Sequence, residues 1–226
     1  GVPAPRLVDG EHQPLVSPVG AVTLWRRLEI VAGSPSPESI GRLARRLHTS
    51  CADDLPVETP DLDPFEPIPG WLDRPGELPL PPGADELWKS LSRLRPRWAE
   101  IVGDDPLGTV LVHGDLHADN VVLTPEGPVM LDLEMAGRGP ASWDLLPQRL
   151  AVQRYGGEPE AYRRFCAGYG DALADSPAVQ FLQEVYELHL VSWAVGHRDL
   201  SPAMAAEAEI RLAVYLGDSE QSWTLI

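Results

Sequence analysis

Positive charge is what this sequence has least of. Eighteen Lys and Arg face 34 Asp and Glu, a net charge of −16 at pH 7. That balance excludes a nucleic-acid partner, because nothing here can neutralise a run of phosphates. Cysteine is nearly absent. Cys51 and Cys166 form neither a C-x-x-C nor a zinc-like spacing to a His. A disulfide framework is therefore not expected, and a reducing cytoplasm fits best. No apolar run reaches the ~18 residues of a membrane span, so no membrane partner is expected. The chain begins at Gly1 without Met or a charged-then-apolar leader, and reads as part of a longer chain.

With 43% hydrophobic residues in 226, there is material for a sizeable core. The first thirty residues alternate turns with short apolar runs. PRLV, PLVSPVG and AVTLWRRLEIV are predicted strands. SPESIGRLARRLHTS is a predicted helix capped by Ser34 or Ser36, with Ile40, Leu43, Ala44 and Leu47 on one face. Nine prolines between Asp54 and Pro82 predict little regular structure, although Phe65, Ile68, Trp71 and Leu72 give that segment something to pack. ADELWKSLSRLRPRWAEIV is a second helix, with Leu87, Leu91, Leu94 and Trp98 on one face and a kink at Pro96. Asp104-Asp105 is read as a helix-terminating turn. TVLVHGDL is a strand running into a polar loop, and NVVLT-PEG-PVMLDLE is a hairpin. Beyond Pro147 the pattern is helical. PAVQFLQEVYELHLVSWAVGHR is apolar almost all round, as a buried helix is, and Ser201 caps the final helix. The fold class is α+β.

The chemistry concentrates in His113-Gly-Asp115-Leu-His117-Ala-Asp119-Asn120, followed on the next strand by Asp132 and Glu134. A hairpin returns Asp132 close to Asn120. A carboxylate and an amide carbonyl are hard oxygen ligands suited to Mg²⁺ shared with phosphate oxygens. Asp115, on the loop before them, is placed to orient a substrate hydroxyl, the division of labour that phosphoryl transfer requires. Only eleven residues separate Asp132 from Asp144, too few for a long activation loop, so a small-molecule acceptor is expected rather than a protein substrate.

The ordered set HGDLHADN, MLDLE and WDLL resembles the aminoglycoside phosphotransferase and choline kinase family, a branch of the protein-kinase-like fold. The resemblance implies Asp115 as catalytic base and Asn120 and Asp132 as magnesium ligands. Glu134 is implied near metal-bound water, and His113 and Asp144 as groups bracing the catalytic loop. It implies ATP and Mg²⁺ as cofactors. TLWR, Thr23, Leu24, Trp25 and Arg26, resembles the hinge strand whose backbone meets the adenine, and GRLARRLH resembles the helix after it. The likeness spans roughly residues 1 to 150. It implies mostly the helical C-terminal lobe, residues 31–226, with residues 1–30 a remnant of an N-terminal lobe largely absent from this chain. No G-x-G-x-x-G is present, and the only lysine, Lys89, lies on a predicted helix. Truncation and degeneration both explain that.

Other readings stay open. The alternation of His113, Asp115, His117 and Asp119 suits a metal-dependent hydrolase, and a non-catalytic binding module needs no lysine. His117 by itself reads as a supporting polar loop residue. Glu184 and Glu187 read first as a helix face and second as part of a cleft for a cationic acceptor, which the net charge favours.

Overall fold

The computed structural model describes residues 2–9, 12–50, 58–74, 76 and 78–225. Cys51 and the start of the proline-rich stretch lie outside them. A hairpin of β1 (Leu15–Ser17) and β2 (Gly20–Val22) comes first. Helices α1 (Pro37–His48), α2 (Ile68–Leu72), α3 (Asp85–Leu94) and α4 (Trp98–Val102) follow. Next come β3 (Thr109–Val112), β4 (Val121–Thr124), β5 (Gly127–Met130) and β6 (Gly137–Pro140). Helices α5 (Leu146–Gln153), α6 (Pro159–Tyr169), α7 (Pro177–Gly196) and α8 (Pro202–Leu216) complete the chain. Every ladder is antiparallel and two-stranded: β1 with β2, β3 with β6, β4 with β5.

Helix α1 starts where the sequence predicts. The Ser36 side chain accepts a hydrogen bond from the Ser39 amide, and Ile40, Leu43, Ala44 and Leu47 are buried. It crosses α6 at backbone contact. A Cβ on Gly41 would stand 2.2 Å from the Phe165 carbonyl oxygen, and one on Gly168 would stand 2.0 Å from that of Glu38. Only glycine permits this approach. The long amphipathic segment before β3 breaks into α3, a tight turn at Arg95–Arg97, and α4. Pro96 lacks an N–H and its ring crowds the carbonyl four residues back. Ser176 and Ser201 cap α7 and α8.

The predicted strand AVTLWRRLEIV forms only in part. Gly20–Val22 pairs with β1, and Trp25 makes a single bridge to Leu7. A strand needs a lateral partner, and after Arg26 donates to the Arg6 carbonyl the next main-chain bond is from Val31 to Leu123 on β4. PRLV likewise contributes only that bridge. The predicted hairpin strand PVMLDLE stops at Met130, because Asp132 adopts φ 57°, outside extended backbone.

Two apolar cores meet at β3, whose side chains alternate between them. Leu111 joins α1, α6 and Leu116, while Val112 joins Trp143 and the core around α7. The polar loop after Val112 therefore leaves the sheet at the seam between the cores.

Candidate active site

At that seam the chain turns through Gly114 at φ 88°. A Cβ there would lie 2.4 Å from the Met135 carbonyl oxygen. Asp144, fully buried, holds the turn from beneath. Its Oδ2 accepts from the His113 amide at 2.7 Å, and its Oδ1 accepts from the Gly114 amide at 2.9 Å. The Trp143 indole N–H donates to the Gly114 carbonyl at 2.7 Å. One turn back, Asp105 accepts from the Ser142 amide and hydroxyl, which anchors the segment carrying Trp143 and Asp144. Asp105 is thus more than a helix-terminating turn. It is buried and fixes the two residues that brace the loop.

The His113 imidazole is also fully buried. Its Nδ1 accepts from the Asp115 amide at 3.3 Å, so Nε2 carries the hydrogen, and it donates to the Leu131 carbonyl at 2.8 Å. Both ring nitrogens are spent on tying the loop to the strand that ends at Asp132. A zinc site built on His113 is thereby ruled out. Among the described residues no three His, Cys, Asp or Glu side chains are grouped to hold a metal ion.

Asp115 emerges beyond this scaffold, its side chain 39% exposed. The Asn120 side-chain N–H₂ donates to the Asp115 carbonyl at 2.9 Å and to its Oδ2 at 3.2 Å. That orientation turns the Asn120 carbonyl oxygen away from Asp115. The β4–β5 register sets Val121 opposite Met130, and the Leu131 amide donates to the Asn120 main-chain carbonyl at 2.8 Å. Asp132 is the next residue. Its left-handed backbone is uncommon for a non-glycine residue, and such conformations gather at functional sites. Glu134 follows, exposed.

His117, expected as a supporting loop residue, lies between Asp115 and Asp119. Its Nε2 is 3.5 Å from Asp115 Oδ2, and its Nδ1 is 3.7 Å from Asp119. Burial pushes the Asp115 carboxyl up. The His117 imidazole outweighs that and holds it below the usual carboxylate value. In return the hydrogen bond to Asp115 raises His117 above its ordinary value, against burial, and Asp119 and Asp132 add to the rise.

Three groups escape sequence reasoning. His48 bonds Asp144 Oδ2 through Nε2 at 3.0 Å and the Tyr169 hydroxyl through Nδ1 at 2.9 Å. A signal existed, since His48 follows Ala44 by four residues on the apolar face of α1. Tyr186 and His189 form the wall of α7 beside Asp115. Tyr186 packs edge-on against Trp143 at 4.8 Å and stacks with His189 at 6.5 Å. The His189 Nδ1 donates to the Pro64 carbonyl at 2.9 Å, and burial pushes its pKa down, so the ring is neutral. Nothing in a helix apolar almost all round marks these two in advance.

Glu184 and Glu187 are not part of this site. Each stands two residues from Tyr186 or His189, hence about 200° around α7. Glu184 pairs with Arg93, and Glu187 with Arg154 at 2.9 Å. Thr23, Leu24, Trp25 and Arg26 lie in an exposed extended segment. Main-chain bonds from Val31 to Leu123 and from Met130 to Pro3 fasten the chain on either side of it to the β4–β5 hairpin.

The profile of the phosphotransferase enzyme family (APH) matches residues 1–184. The chain belongs to that family. It is a phosphotransferase that uses an alcohol group as acceptor, a small-molecule kinase, and its fold is protein-kinase-like. A choline/ethanolamine kinase family protein from Mesorhizobium loti superposes with a TM-score of 0.63 at 19% identity, over 97% of this chain and 75% of that one. The choline kinase LicA from Streptococcus pneumoniae gives 0.61 at 16%, over 94% and 76%. Aminoglycoside phosphotransferase APH(3'')-Id from Streptomyces rimosus, solved with ADP and streptomycin, gives 0.60 at 24%, over 85% and 76%. No curated protein sequence matches. The phosphotransferase chain thus spans about three quarters of these neighbours' length. Among its described residues no helix is long and apolar enough to cross a membrane.

Proposed function

We propose that this phosphotransferase moves the γ-phosphoryl group of ATP to a hydroxyl of a small acceptor seated at Asp115. The observation that carries the reading is the division within one loop. Asp115 presents an ionised, half-exposed carboxylate; Asn120 donates to it through its N–H₂, which leaves the Asn120 side-chain carbonyl turned away, and the hairpin returns the main chain past Asn120 at Leu131, one residue before Asp132.

Asp115 accepts the acceptor's proton, or the hydrogen bond that precedes its transfer. Its low pKa keeps it unprotonated for that task. Asn120 and Asp132 suit Mg²⁺, since both offer hard oxygen and two protein ligands leave positions for phosphate and water. When bound, the ion would supply positive charge to offset the charge of the phosphates. Glu134, exposed two residues after Asp132, would be the next carboxylate available to such an ion. His113, Asp144 and His48 act through the backbone, as positioning residues.

Thr23–Arg26 serves as the hinge. Leu24 and Arg26 use their main-chain groups toward Val8 and Arg6, which turns the N–H and C=O of Trp25 to the opposite edge, where an adenine would find them. Residues 1–30 form the margin of an N-terminal lobe. Val16, Val19, Trp25 and Ile30 are all more than half exposed, as an uncovered sheet margin would be. Lys89 cannot serve the phosphates, being an exposed residue of α3 paired with Asp85 and Glu86. Residues 31–226 form the helical lobe.

For the acceptor we favour an amine-bearing or hydroxyl-rich compound of the aminoglycoside, amino alcohol or sugar kind. Asp119 and Glu134 stand exposed near the loop, and the chain carries −16 overall. The neutral His189 and the Trp71 ring edge-on to it at 4.8 Å add apolar wall and no opposing charge. The test is Mg²⁺-dependent transfer from ATP to such compounds, measured as phosphorylated product in wild type and Asp115→Ala. Transfer that survives Asp115→Ala, or that prefers anionic acceptors, overturns the reading.

A further inference from the structure

On the far side of α7 from Asp115, a cleft of about 480 Å³ opens between α3, α5 and α8. That is large enough for a small organic ligand. Its lining is polar although α7 is one of the most apolar segments of the chain. Gln180 and Gln183 enter from α7, Gln153 from α5, Ser90 from α3 and Tyr215 from α8.

The charges on this wall are matched. Glu184 is paired with Arg93 and Glu187 with Arg154, Arg149 lies 3.9 Å from Asp175, and Glu86 meets Lys89. A net charge brought into the cleft would lack a counter-charge, and burying it would be unfavourable. What is left over is neutral hydrogen-bonding capacity. Gln183 Nε2 donates to Gln153 Oε1 and to Glu187 Oε1, both at 2.9 Å, which uses its two hydrogens. Its own Oε1 and the N–H₂ of Gln153 have no partner among the described residues. Gln180 Nε2 donates to Asp175, and its Oε1 is likewise unpartnered among them. The Tyr215 hydroxyl is buried, beside Ser90, without a hydrogen bond of good geometry.

Donors and acceptors interleaved on one surface whose charges are already paired match a molecule whose every polar group both donates and accepts, and hydroxyls do that. We propose that this cleft binds a neutral polyhydroxylated small molecule, a sugar or polyol, at a site separate from the acceptor position at Asp115. The proposal does not depend on the assignment of roles in the Asp115 loop.

The experiment is calorimetry and ligand-observed NMR on the 226-residue chain, with glucose and myo-inositol as neutral probes and gluconate and glucosamine as charged counterparts. Neutral probes should bind in preference to the charged ones. Gln153→Ala and Gln180→Ala, both at exposed positions where folding is not at stake, should each weaken binding about five- to tenfold. Asp115→Ala should leave it unchanged. Absence of neutral binding, preference for a charged probe, or loss in Asp115→Ala with both Gln variants unaffected would overturn the proposal.

Discussion

His48 and Asp144 are 96 residues apart in sequence and 3.0 Å apart in space, and both side chains are buried. The same carboxylate oxygen that meets His48 also accepts from the His113 amide. One atom therefore joins α1 to the start of the catalytic loop. Removing the carboxylate leaves two buried amides and an imidazole unsatisfied together.

Asp144→Ala should accordingly lower stability by about 3 kcal/mol or more. Urea unfolding measures the loss, and amide exchange should show His113 and Gly114 losing protection first. His48→Ala should do the same to a smaller degree, since Asp144 then keeps both amides and loses only its bond to the imidazole. Full protection of both amides in Asp144→Ala would show that the loop is held by something else.

Gly114→Ala tests the turn itself. The new Cβ would meet the Met135 main chain in a backbone conformation that L side chains rarely adopt. A cost of about 1–3 kcal/mol is expected from the strain, with steric displacement of Asp115 in addition. Thermal unfolding reads the first and phosphoryl transfer the second. A variant with wild-type stability and activity would mean the turn relaxes freely.

The Asp115–His117 pair gives a signed dependence on pH. His117 is raised, so its contribution is complete below the ordinary value of 6.5 and fades as pH climbs through the raised value. Asp115 is lowered, so its contribution is complete above the ordinary 3.8 and is lost as pH falls through the lowered value. The pair is therefore strongest in the weakly acidic window between those limits. Both side chains are about 40% exposed, which screens the interaction. An NMR titration should place the His117 midpoint above 6.5, and Asp115→Asn should bring it down. A wild-type midpoint at or below that value would contradict the pairing.

Asp115→Ala should reduce transfer by about 10²–10⁴-fold while folding is retained, because in the proposed reading the carboxylate serves the reacting hydroxyl and not the scaffold. The 226-residue chain alone should turn over slowly, since Lys89 is committed to α3 and the sequence has no G-x-G-x-x-G to cover phosphates. Supplying a glycine-rich hairpin and strand lysine from a relative ahead of Gly1 should raise the rate. Rapid turnover without them would contradict the proposed two-lobe division.

Local rules made much of the helical lobe legible. Ser36 and Ser201 each cap the helix they precede. The apolar faces of α1 and α3 are buried as their spacing predicts. The expected return of the chain toward Asn120 is met, since the β4–β5 hairpin sets Leu131 against the Asn120 main chain. What stayed hidden depends on tertiary contact. His48, Asp105 and His189 acquire partners 96, 37 and 125 residues away, and no local pattern encodes those. The acidic pair Glu184 and Glu187 looked available on a helix face, yet Arg93 and Arg154 reach it from other helices. AVTLWRRLEIV carries strand propensity along its whole length, but beyond Ala21 and Val22, which pair with β1, propensity without a neighbouring strand gives only a bridge at Trp25.

The central claim is that one loop divides its work, Asp115 toward the acceptor and Asn120 with Asp132 toward magnesium and nucleotide. Calorimetric titration of ADP, with and without Mg²⁺, into wild type, Asp115→Ala and Asp132→Asn tests it most directly. The account predicts a magnesium-dependent component of binding that Asp115→Ala keeps and Asp132→Asn loses. Equal magnesium dependence in wild type and Asp132→Asn would contradict it.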